Sequence, residues 1–174
     1  KAEPKNNPAG KVNPNDPDQL AHLKRDPESF LTDLLAKASF DPGVIIASVD
    51  FLAKAGEFKY AAVLLKASIR SGLIAEAWAQ EALAVALEGC NGSAEEIERA
   101  RVSGIDLEPK NPQAYLKAAK ALADNLDPER ALKFCRTAAK IEPNLPDPYI
   151  NALAFAADNK ANLDANDSIF FSGK

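Results

Sequence analysis

Few residues of this chain have the type and spacing to do chemistry. The single histidine, His22, lies in a polar N-terminal stretch, a poor start for a His-based metal site or a nucleophile–His–acid triad. The two cysteines, Cys90 and Cys135, have no CxxC spacing and no His near them in sequence. They form a disulfide, a reactive thiol or two small hydrophobes, and the last is expected because free Cys commonly packs as core. No Gly-rich phosphate loop, HExxH or GxSxG is present. Trp78 has the shape of a ligand platform, and Lys117 and Lys120 stand one helical turn apart. Asn91-Gly92-Ser93 and Asn166-Asp167-Ser168 are N-glycosylation triplets. Each has a plainer reading: Trp78 as core, the lysines as a solvated helix face, the triplets as chance. No catalytic constellation, no cofactor and no metal are expected.

The elements that must position these residues are helices. The chain holds 33 Ala against 17 Val, Ile and Thr together; Ala is the best helix former and β-branched residues favour strands. A length of 174 residues suits about one domain with a self-sufficient core. The net charge of −4 supplies no basic face for nucleic acid or an anionic membrane. No apolar run reaches the ~18 residues of a membrane span. The alanine-rich wording suggests a bacterial source, on either the cytoplasmic or the periplasmic side. The lack of a starting Met suggests a processed or excised segment.

Residues 1–26 are rich in Pro and Asn and read as an extended linker. Order is expected from Asp26-Pro27, an N-cap followed by a first-turn proline. Helical apolar spacing, broken by Gly56, Ser71-Gly72, 89–93, Pro109, Asp127-Pro128 and Pro143, predicts helices over 27–38, 43–54, 57–71, 75–88, 93–106, 112–124, 128–140 and 146–158. A short ninth is expected over 163–170. Ser93 is placed as an N-cap with Glu96 three residues on. Helices this short depend on their neighbours, and their uniformity suggests a repeat.

The chain repeats itself at an offset of about 34 residues, the length of one helix pair with its turns. Leu107-Glu108-Pro109 returns as Ile141-Glu142-Pro143, Pro112 as Pro146, Tyr115 as Tyr149, Ala118 as Ala152 and Ala131 as Ala165. The chain resembles the tetratricopeptide repeat family, whose members carry a bulky aromatic at position 4, small residues at 8, 20 and 27, and Pro at 32. From Pro112 these are Tyr115, Ala119, Ala131, Ala138 and Pro143. Helices approach closely only where one side chain is small. Repeats are assigned to 42–74, 75–111, 112–145 and a partial 146–171, with 27–38 as an N-terminal cap. Departures are Val49 at position 8 and Ile97 at position 20, while Trp78 supplies the aromatic at position 4 of the second repeat.

The resemblance implies an all-α, right-handed α–α superhelix whose first helices line a concave groove, and a non-enzymatic scaffold holding a protein or peptide segment there. Groove positions carried over from the family are Ile46, Asp50 and Lys54; Ala79, Gln80 and Leu83; Leu116, Lys117, Lys120 and Asp124; Ile150 and Asn151. The lysine and asparagine clamp for a carboxyl-terminal peptide is not reproduced, because Gln80 and Leu83 stand where the preceding repeat would need it. The alternative is an assembly module packing against neighbouring domains. At the C-terminus, 163–171 is expected to fold back on helix 146–158. Otherwise the tail docks on a neighbouring molecule and gives weak self-association.

Overall fold

The computed structural model describes residues 17–38 and 43–159. The ninth helix and tail packing expected over 163–171, and the second glycosylation triplet, lie outside the described residues, as does 1–16. The described residues are helical throughout: α1 (Pro17–Arg25), α2 (Pro27–Ala38), α3 (Gly43–Lys54), α4 (Phe58–Arg70), α5 (Ala77–Gly89), α6 (Ala94–Leu107), α7 (Pro112–Asp124), α8 (Pro128–Ile141) and α9 (Asp147–Asn159).

Helix α1 falls inside the stretch read as linker. Its sequence is polar, yet Leu23 is buried and the His22 ring meets Phe30 edge-on at 5.5 Å. Asp18 in the first turn and His22, Lys24 and Arg25 in the last suit the helix dipole. Nine residues do not hold a helix alone, so burial of Leu23, a tertiary effect, fixes it. Helix α1 packs on α2, the helix expected over 27–38.

Caps begin the helices as their sequences require. The Ser29 N–H donates to Asp26 Oδ1 (3.1 Å), and the Glu96 N–H to Ser93 Oγ (3.2 Å). Asn111 and Asp127, each before a proline, accept from Gln113 N–H (3.0 Å) and Arg130 N–H (3.1 Å). Helices α3, α4 and α7 end alike. An amide reaches back five residues, Glu57 to Leu52 O (2.8 Å), Leu73 to Ser68 O (3.0 Å) and Asp127 to Leu122 O (2.9 Å). The residue before it takes positive φ: Gly56 at 77°, Gly72 at 72° and, without glycine's freedom, Leu126 at 61°.

The chain groups into two compact units. The first runs to Ala75 and includes Val85–Asn91; the second takes Glu76–Ala84 and the residues from Gly92. The boundary falls inside α5, whose N-terminal turns bury Ala79 and Leu83 and whose C-terminal turns bury Ala86 and Leu87. In the first unit α2 packs on α3 and α4, with Phe30 and Phe51 at 5.8 Å in the core. The buried hydroxyls of Ser48 and Ser68 donate to the carbonyls of Val44 (2.6 Å) and Leu64 (2.8 Å), so no polar group is stranded there. A β-carbon on Gly89 would lie 2.5 Å from the Phe58 ring, so glycine is what lets α5 end there.

In the second unit α7 packs on α8, α6 and α9, and α8 on α9. Leu116, Ala119 and Leu122 of α7 share one buried cluster with Ala131, Leu132, Cys135 and Ala138 of α8 and Ala152 of α9. The repeat period is present as a bond. The Tyr115 hydroxyl donates to Pro109 O (3.3 Å), and the Tyr149 hydroxyl to Pro143 O (3.2 Å). Each ties a first helix to the proline that closes the preceding repeat.

Candidate functional site

The register explains why a charged group sits in the second unit's interior. Arg101 of α6 stands one repeat period before Cys135, a fully buried core position. An arginine there must find an acid, because an unpaired buried charge is costly. Glu81, on α5, supplies it: its carboxylate accepts from Arg101 Nη1 and, at 2.6 Å, from Lys117 Nζ of α7. Burial pushes the Glu81 carboxyl up, but hydrogen bonds from Arg101 and Lys117, and their charges, outweigh this and hold it below the usual carboxylate range. Three helices are thus tied through one carboxylate.

Around this trio lies a cleft of about 190 Å³, lined by Trp78 and Glu81 of α5, Arg101 and Gly104 of α6, Glu108, Asn111, and Gln113 and Lys117 of α7. Small-molecule pockets measure roughly 300–1,000 Å³, so this cleft is smaller than a typical small-molecule site. Trp78 is half-buried and lines the cleft; its Nε1–H donates to the Glu76 carboxylate. Being half-buried, Trp78 fills only part of the core role expected of it. Asn111 Nδ2 donates to Glu108 (2.8 Å), closing the rim.

Three groove assignments are corrected. Ala79 is 0 % exposed, Leu83 8 % and Leu116 5 %; these side chains serve helix packing, since the helix faces that carry them are covered. The others are at least partly accessible. On α7, Lys117, Lys120 and Asp124 form one accessible row with Gln113. On α9, which packs beside α7, Ile150 is 60 % exposed and Asn151 half-buried. Gln80 is half-buried, across from Gly104. In the first unit Ile46 is exposed, and Asp50 and Lys54 pair with each other at 2.7 Å. Lys117 is not a freely solvated lysine, because Glu81 holds it.

Glu81 and Arg101 are the residues that sequence reasoning missed. The signal was an arginine one period ahead of a core cysteine. A second network ties Glu98 to Asn125 (2.7 Å) and Arg130 (3.0 Å) beside the exposed Leu126 turn. Both cysteines are free; burial pushes the Cys135 thiol up to about 12, which makes it a poor nucleophile. Among the described residues no group of His, Cys, Asp and Glu could hold a metal ion, and no helix is long and apolar enough to cross a membrane.

No family model and no curated protein matches the sequence. Among solved structures, the fold is similar to that of YrrB, described as a TPR protein with an unusual peptide-binding site. The TM-score is 0.62 at 14 % identity, over 89 % of this chain and 80 % of that one. The fold is therefore all-α, of the α–α superhelical class built from antiparallel helix pairs, with a tetratricopeptide-like helical repeat.

Proposed function

We propose that the chain is a member of the tetratricopeptide repeat family and acts as a non-enzymatic scaffold that holds an extended or helical segment of a partner protein. The segment lies along the accessible row of α7 and beside Ile150 of α9, and sets one side chain into the cleft between α5, α6 and α7. The observation that carries this reading is the row itself. Gln113, Lys117, Lys120 and Asp124 keep one face of α7 open, while Leu116, Ala119 and Leu122 fill the other. Exposed Ile150, on the helix that packs against α7, offers an apolar anchor, and an apolar centre with a polar rim is the anatomy of protein interfaces. The fold supports interaction in general.

The test uses the full chain and a random-peptide library. Segments that bind the parent are selected, and their affinity is measured for Lys120→Glu, Ile150→Asp and, as a control on α6, Arg99→Glu. A tenfold or greater loss for the first two with less than twofold for the control is expected. Equal affinity for all four proteins would remove the α7–α9 face as the site.

A further inference from the structure

The period that defines the repeats also shows where α9 departs from α7. Leu153 is 52 % exposed, whereas Ala119, its counterpart in the preceding repeat, is 0 % exposed beneath α8. The two are separated by one full repeat, so α9 shows at this position what α7 hides, and the α8 residues that share a buried cluster with Ala119 are Ala131, Leu132, Cys135 and Ala138. The repeat shift thus sets an exposed leucine on α9 at a position that is core on α7.

We propose that residues 162–173 of the same chain dock on this face of α9, in the place that α8 takes on α7. The same repeat shift sends Ala131 to Ala165, Cys135 to Ile169 and Ala138 to Ser172, which keeps the order small, apolar, small. Ala165 and Ser172 leave room for Leu153, which is larger than the Ala119 it replaces. Asp124-Asn125 at the end of α7 returns as Asp158-Asn159 at the end of α9, although Leu126-Asp127-Pro128 is replaced by Lys160-Ala161-Asn162. Leu132, buried in α8, becomes Asn166, and Thr137, half-buried where Cys135 is fully buried, becomes Phe171. The register therefore assigns the contact to Ile169 and leaves Phe171 outside it. Reach is not limiting, since ten residues beyond Asn159 span up to about 30 Å while Leu153 lies only about 9 Å back along the helix.

Amide hydrogen exchange of α9 in the full chain tests this. Ile169→Asp should speed α9 exchange at least tenfold at every protein concentration, while Phe171→Asp changes it less than twofold. A crosslink keeps the test independent of folding. Leu153→Cys with Ile169→Cys should close a disulfide within one chain on mild oxidation, and Leu153→Cys with Phe171→Cys should not. Unchanged α9 exchange in Ile169→Asp together with no 153–169 link overturns the proposal, as does an equal effect of the two aspartates. Protection that fades on dilution, with links between chains, would overturn it too and assign the face to a second copy.

Discussion

Replacing Glu81 by glutamine probes the charged centre of the second unit directly. The substitution keeps size and one acceptor oxygen but removes the charge facing Arg101 and Lys117. The loss falls on Arg101, whose side chain is 9 % exposed, more than on Lys117 at 48 %. Removing one partner of a buried pair costs about 3–5 kcal/mol. A retained hydrogen bond offsets about 1 kcal/mol, and the 38 % exposure of Glu81 admits water that screens the pair further. The net expectation is about 1.5–3 kcal/mol lower stability near pH 7. The pH dependence has a fixed sign. Glu81 is held below its unfolded value, so its contribution is complete above the unfolded pKa of about 4.3 and is lost as pH falls through the folded value. Urea denaturation of parent and Glu81→Gln from pH 8 to pH 3 should give a constant gap down to about pH 5, narrowing with acid. A gap at pH 7 under about 0.5 kcal/mol, the size of an ordinary surface substitution, refutes the argument that this carboxylate neutralises a buried arginine. So does a gap that fails to shrink in acid.

Two glycines should answer the same substitution with opposite signs. Gly104→Ala meets only Gln80 Cβ at 3.8 Å and should stabilise by about 0.5–1 kcal/mol through helix propensity, whereas Gly89→Ala drives a carbon to 2.5 Å from the Phe58 ring and should cost about 1–3 kcal/mol in the same urea titration. Leu126 holds φ 61° and is 83 % exposed, so Leu126→Gly should add about 0.5–1 kcal/mol of stability by the denaturation midpoint, and a loss would show that the leucine packs on something. In the folded protein at pH 8, iodoacetamide should label one thiol and leave Cys135 intact until denaturant is added, because burial holds that thiol up to about 12; mass mapping of the labelled peptides reads the result.

Local sequence was enough for the helices from α2 to α9, because proline, glycine and capping side chains act within a few residues of themselves. The predicted 43–54 and 112–124 coincide with α3 and α7, and Asp26, Ser93 and Asp127 are found as caps. The repeat period was legible too, since small residues recur wherever two helices approach. Whatever depends on neighbours had to wait for packing. Helix α1 is too polar and short to announce itself, and it is held by burial of Leu23 and the contact of His22 with Phe30. The choice between groove and core for Ala79, Leu83 and Leu116 also belonged to packing, because family position names a helix face but not what covers it. The division within α5 has no local signal at all. Arg101 lay between these cases. Its place in the register was legible, but Glu81 stands 20 residues away in sequence on another helix, and only folding brings the carboxylate to the guanidinium.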